Sequence, residues 1–357
     1  MVVFKKIAIF LGVIFLFSCN KKETCCPVEN PDPLEIKAVD ASFIPEIRAS
    51  GFIAQNADGQ AEDMLATLQN AGVNTIRIRL WNQPATALSG FQQVKAFAAE
   101  VKSRGMKVWL CPHYSDTWAD PGSQTKPAAW QGVGFEALKD SVYQFTQKAV
   151  SEIQPDFIQI GNEINGGLLW PEGRISNPEQ MKALLSQGIL AVRDHAPNTR
   201  IMLHYAGHEN AVIFFTQLEN LDFDMIALSY YPFWHGKSFF LLDLNLSLLS
   251  SRFNKKIVIA ETAYPFTLTW NDQTNNIIGL ADQLHPDYPA TGEGQKNFLI
   301  KLKEVVSANS NGVGICYWGA DWVAYKGSAA TDGSSWENMA LWGFDKRALP
   351  AMGVFKD

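Results

Sequence analysis

The sequence predicts an α/β fold, a single-domain (β/α)8 barrel of the TIM type. Eight short runs of strand-forming residues recur along the chain, and helical stretches separate most of them, which implies a parallel sheet. At 357 residues a closed barrel is the natural solution for such a sheet. A doubly wound open sheet would normally carry a glycine-rich phosphate loop after its first strand, and none is present.

The strand runs lie at 36–41 (IKAVDA), 75–81 (TIRIRLW), 107–112 (KVWLCP), 157–163 (FIQIGNE), 200–205 (RIMLHY), 225–231 (MIALSYY), 257–261 (IVIAE) and 312–318 (GVGICYW). Helical patterns occupy 62–70, 91–104, 135–152, 178–194, 209–217, 240–253 and 294–308. Gly72 and Gly105, each shortly before a strand, read as helix stops. The long connections, 113–134, 164–177, 262–293 and 319–345, all follow strand carboxyl ends. In a barrel they gather on the face where active sites form. They carry Trp118, Trp130, Trp170, Trp270, Trp322, Trp336 and Trp342, seven of the chain's 11 tryptophans. Tryptophans concentrated in loops suit stacking against sugar rings better than filling a core.

Ahead of the barrel, the first residues read as a targeting segment. Lys5 and Lys6 precede an apolar stretch at 7–17 that is too short to span a bilayer as a mature helix. Leu16-Phe17-Ser18-Cys19 resembles a bacterial lipobox, so residues 1–18 read as a lipoprotein signal peptide and Cys19 as the lipidated residue. Residues 19–34, polar and with three prolines, read as a tether, and 35–357 as the catalytic domain. This places the protein in the bacterial cell envelope, anchored to membrane through its lipid and displayed at the outer cell surface, as a monomer by default. A net charge of −6 without a basic stripe excludes a nucleic-acid partner. No cysteine or histidine spacing suggests a zinc site.

Two of the strand runs end on a carboxylate, Glu163 and Glu261. A glutamate is costly to bury unless it has a task. Two of them, three βα units apart, suggest acids acting across one glycosidic bond, one kept protonated and the other ionised. Asn162 beside Glu163 suits a hydrogen bond to a sugar 2-hydroxyl.

Further runs give these acids a context: His113-Tyr114-Ser115-Asp116-Thr117-Trp118-Ala119-Asp120-Pro121, Gly161-Asn162-Glu163, Ser229-Tyr230-Tyr231-Pro232-Phe233-Trp234-His235-Gly236, Glu261-Thr262-Ala263-Tyr264-Pro265, and Trp336-Glu337-Asn338 with Ala348-Leu349-Pro350 downstream. With them the chain resembles the glycoside hydrolase family 53 endo-β-1,4-galactanases, retaining (β/α)8 glycosidases, from Val39 to its end. The resemblance implies retaining endo-hydrolysis of β-1,4-galactan and type I arabinogalactan, the pectic side chains, with Glu163 as acid/base and Glu261 as nucleophile. It also implies Arg77 as the support of the nucleophile, ahead of Arg79, which faces the same way. Tyr230 is expected to hydrogen-bond the nucleophile, His113 to contact the sugar, and Trp318 to form the floor beneath it. Asp116, Trp118 and Trp234-His235 are expected as subsite walls.

No cofactor is expected for the chemistry. Some bacterial relatives bind a structural calcium, for which Asp272, Asn275 and Asn276 offer oxygens. The chain departs from the family pattern at Cys111-Pro112 and at Gly319-Ala320-Asp321-Trp322, so subsite contacts there are its own. The alternatives are a clan relative acting on mannan, xylan or cellulose, and a surface glycan-binding lipoprotein without catalysis.

Overall fold

The computed structural model describes residues 34–356. The signal peptide, Cys19 and nearly all of the tether lie outside the described residues. The expected barrel is present. Eight parallel strands close in sequence order, β1-β2-β3-β4-β5-β6-β7-β8, with β8 pairing back onto β1. They are β1 (Ile36–Asp40), β2 (Thr75–Leu80), β3 (Lys107–Pro112), β4 (Phe157–Gln159), β5 (Arg200–Ala206), β6 (Met225–Ser229), β7 (Lys256–Thr262) and β8 (Gly312–Tyr317). The helices are α1 (Ile44–Ala49), α2 (Met64–Asn70), α3 (Phe91–Ser103), α4 (Phe135–Ile153), α5 (Pro178–His195), α6 (Ala211–Gln217), α7 (Pro232–His235), α8 (Phe239–Phe253) and α9 (Gly292–Ala308). The sequence pattern did not reveal α1 or α7, because one or two turns carry too little periodicity to register. Gly72 and Gly105 both have positive φ just beyond α2 and α3, where a side chain would be strained.

Strand alternation sorts the side chains into two cores. Outward residues such as Ile76, Ile78, Leu110, Ile158, Leu203 and Ile226 pack beneath the helices. Inward residues, including Ile36, Trp109, Phe157, Met202, Met225 and Val258, plug the barrel floor. Further toward the carboxyl ends, the same inward positions become polar and buried: Asp40, Arg77, Arg79, Gln159, His204, Ser229 and Glu261. The barrel is therefore apolar below and ionisable above, which fixes where chemistry can occur.

Two irregularities aim the acids. The expected fourth strand, 157–163, stops early: β4 ends at Gln159, after which Gly161 (φ +82°) and Glu163 (φ +46°) take left-handed backbone. Glu163 is thus carried on the turn beyond the strand. In β7 simple alternation would put Glu261 on the outer face with Ile257 and Ile259. The pairing with β6 slips from Leu228↔Ile259 to Ser229↔Glu261, a bulge that turns the glutamate inward.

Candidate active site

Glu163 and Glu261 meet over the barrel mouth. A carboxylate oxygen of each and a ring nitrogen of His204 all lie within 4.8 Å of one another. Both ring nitrogens of His204 already face hydrogen-bond partners, Gln159 at 2.8 Å and Ser229 at 2.9 Å, so this cluster is not an open metal-ligand set.

The two carboxylates have different company. Glu261 Oε1 is 2.9 Å from Arg77 Nη2, and Tyr231 donates its hydroxyl to Oε2 at 3.1 Å. Arg77, fully buried, also pairs with Asp40 at 3.2 Å and donates to Asn162 Oδ1 at 2.7 Å. Among the described residues no cation contacts Glu163; it accepts from Ser229 Oγ at 2.5 Å. Burial, reinforced by the charge of Glu261, pushes Glu163 up to about 8. Burial also raises Glu261, but the Arg77 charge and the Tyr231 hydroxyl oppose the rise. The proton shared by the pair therefore belongs on Glu163, and the negative charge on Glu261.

Both glutamates line a cavity of about 660 Å³ together with Trp118, Asn162, Trp234, Trp318, Trp322 and Trp336. A second cavity of about 310 Å³ adjoins it and shares Trp118 and Trp322 as walls. Trp318 lies 5.9 Å from Trp118 and 5.6 Å from Trp322, ring centre to ring centre. Trp118 is held by the Arg79 guanidinium 4.0 Å from its ring centre. Asn162, also on the cavity wall, donates its amide to Ala119 O at 2.9 Å and accepts on Oδ1 from Arg77 at 2.7 Å and Gln159 at 3.0 Å.

Three expected contacts are placed differently. Tyr230 does not reach Glu261. Its ring lies among Phe239, Phe298 and His208, and the hydroxyl on Glu261 is that of Tyr231. The cause is alternation: Met225, Ala227 and Ser229 face inward, so residue 231 continues inward and residue 230 points out. Asp116 is no cavity wall. Its carboxylate accepts from Gln83 N and Ala128 N, both at 2.8 Å, and ties two loops together. His113 lies behind Trp118, where Nδ1 accepts from Ala119 N at 3.0 Å; burial and the nearby arginines hold it well below the usual histidine range and neutral. Arg79 faces inward beside Arg77, 4.0 Å from Asp40.

Sequence reading missed Asp40, Gln159, His204, Ser229 and Tyr231. A histidine inside the apolar run Ile201-Met202-Leu203 was the available signal for His204. The others announce themselves only once strand parity is known.

The sequence profile of Glycosyl hydrolase family 53 matches residues 36–355. The chain belongs to glycosyl hydrolase family 53. It is therefore a glycoside hydrolase, and reactions of this family need no cofactor. Among its relatives, an uncharacterized protein of Niallia circulans is 36% identical over 90% of this chain and 93% of its own length. The arabinogalactan endo-β-1,4-galactanase of Cellvibrio japonicus is 33% identical, with 89% of each chain covered. The solved GH53 catalytic domain of Ignisphaera aggregans superposes with a TM-score of 0.87 at 38% identity, covering 92% of this chain and 97% of that one.

Proposed function

We propose that this family 53 protein is a retaining endo-β-1,4-galactanase acting on galactan and type I arabinogalactan. The observation that carries the mechanism is the pair of carboxylates within 4.8 Å of each other with unequal surroundings. That spacing suits a retaining pair, at about 5–5.5 Å between carboxyl groups, and leaves no room for the water of an inverting one. Glu261, held ionised by Arg77 and aimed by Tyr231, attacks the anomeric carbon. The bond to the leaving oxygen breaks as Glu163 protonates it. In the second half Glu163, now ionised, takes a proton from water, which displaces Glu261 from the anomeric carbon with net retention. The galactan reading rests on the Cellvibrio relative and on the sequence motifs. The endo reading rests on two adjoining cavities with shared tryptophan walls, a groove longer than one sugar.

A structural calcium near Asp272 belongs to the same reading, with Glu337 as a further ligand. Asn275 is exposed, whereas Asp272 and Glu337 bring their buried carboxyl groups against each other, burial and this contact raising Glu337, and Asn276 adds a buried amide oxygen. Together they fit a hard cation, and calcium would raise the melting temperature of chelator-treated protein. Lipid anchoring through Cys19 at the outer cell surface, as a monomer, completes the proposal; a Cys19→Ala variant would then leave the membrane fraction.

The test is the product profile on linear β-1,4-galactan, xylan, mannan and cellulose. Mid-length galacto-oligomers early in the reaction are expected, with Glu163→Gln and Glu261→Gln each lowering turnover by about 10²–10⁴-fold or more while the fold is kept. Cleavage of xylan but not galactan would overturn the substrate. Binding without any release of oligosaccharide would favour a glycan-binding role instead.

A further inference from the structure

Behind Glu163 a chain of side chains runs back to Arg77, and each link has a direction. Arg77 can only donate, and its Nε lies 3.3 Å from Gln159 Oε1. That contact turns the Gln159 amide nitrogen toward His204, where it meets Nδ1 at 2.8 Å. The backbone N–H of Glu163 faces the same nitrogen at 3.4 Å. Nδ1 therefore accepts, and the imidazole proton sits on Nε2, 2.9 Å from Ser229 Oγ. With its oxygen accepting from His204, Ser229 donates its own proton to Glu163 Oε1 at 2.5 Å.

Asn162 Oδ1 also lies 3.2 Å from His204 Nδ1 and would favour the opposite tautomer. It is already occupied by Arg77 Nη2 at 2.7 Å and Gln159 Nε2 at 3.0 Å. The two N–H donors converging on Nδ1 outweigh it. The reversed chain would have Glu163 donating from Oε1 into Ser229, where its proton cannot reach a sugar.

We propose that His204 and Ser229 are positioning residues that keep Glu163 Oε1 an acceptor, so that the acid proton resides on Oε2, the oxygen free to face the cavity. The inference rests on the reading of Glu163 as the general acid. A neutral imidazole is needed to donate and accept at once, and burial, with the Arg77 charge, lowers His204 well below the usual histidine range. The relay also ties the halves of the site together: the arginine that holds Glu261 orients, through Gln159, His204 and Ser229, the proton of Glu163. The other charged or titratable groups facing Glu163 are Glu261 from β7, Asp120 from the loop after β3 and Tyr231 before α7; His204 additionally faces His113 and His235.

The test uses the purified chain with ¹³C-labelled glutamate side chains, titrated by NMR, the Glu163 signal being assigned by its loss in Glu163→Gln. The Ser229 hydroxyl favours the carboxylate form, so Ser229→Ala should raise the Glu163 titration midpoint by about one pH unit. His204→Leu should move it in the same direction; should that variant fail to fold, Ser229→Ala, which removes a single oxygen, decides the matter. Kinetics supply the second readout. Ser229→Ala should lose about tenfold in kcat/KM on polymer, whose leaving group needs a proton, and under about twofold in kcat/KM on a dinitrophenyl galactobioside, whose leaving group does not. An unmoved midpoint, or equal losses on both substrates, would overturn the relay. A shifted midpoint in a protein that cleaves no galactan would leave the relay standing and overturn the proposed function.

Discussion

Tyr230 and Tyr231 are adjacent, chemically identical and oppositely placed, which makes them a sharp residue-scale test. Tyr231→Phe removes the hydroxyl that aims Glu261 and should lower kcat by about 10–100-fold, the worth of one hydrogen bond to a charged group. Tyr230→Phe removes a buried hydroxyl with no partner among the described residues and should leave kcat within about twofold. Steady-state kinetics of the two variants check this; the reverse pattern would return the role to Tyr230. The sequence could place a tyrosine at the end of β6 but could not choose between two neighbours, because the choice depends on which β6 residues face inward. Glu163 and Glu261 were legible because a carboxylate closing an apolar run is an energetic oddity. The residues that hold them, Asp40, Gln159, His204 and Ser229, are ordinary polar side chains whose meaning lies in three-dimensional contact.

At the scale of elements, the strands were readable nearly to their ends, and the discrepancies fall where function intrudes. β4 stops short so that left-handed turns can carry Glu163. β7 bulges so that Glu261 points inward. Neither device has a local sequence signature beyond Gly161. The seam that closes the barrel was also invisible in sequence. There Gly314 lies so close to β1 that an added Cβ would sit 2.4 Å from both Cβ and O of Ile36. Gly314→Ala should force the β1–β8 seam apart and cost about 1–3 kcal/mol as overpacking, read as a lowered denaturation midpoint in urea. Stability equal to that of the wild-type chain would show the seam to be looser than the structure describes.

For the whole molecule, the buried acids set a pH dependence opposite to that of a protein rich in salt-bridged carboxylates. Burial pushes both Glu163 and Asp321 up to about 8, against about 4 in an unfolded chain. Between those values the folded state holds protons that the unfolded state has released. Their contribution is therefore full below about pH 4 and is lost as pH rises through 8. Below about pH 6.5 the buried neutral histidines, His113 and His204 foremost, pull the other way, because the unfolded chain takes up protons there that the folded chain does not. The melting temperature should therefore fall between pH 7 and pH 8, and Asp321→Asn, which cannot ionise, should flatten part of that slope; a melting temperature rising across this window would contradict the assignment. In the proposed mechanism the same protonated Glu163 is the general acid, so stability and catalysis would draw on one buried proton. The most direct test of the whole account is proton NMR of linear β-1,4-galactan during the first minutes of hydrolysis. New reducing ends should appear as the β-anomer and only later mutarotate to α, while α-anomer appearing first, or no new reducing ends at all, would contradict a retaining galactanase built on Glu163 and Glu261.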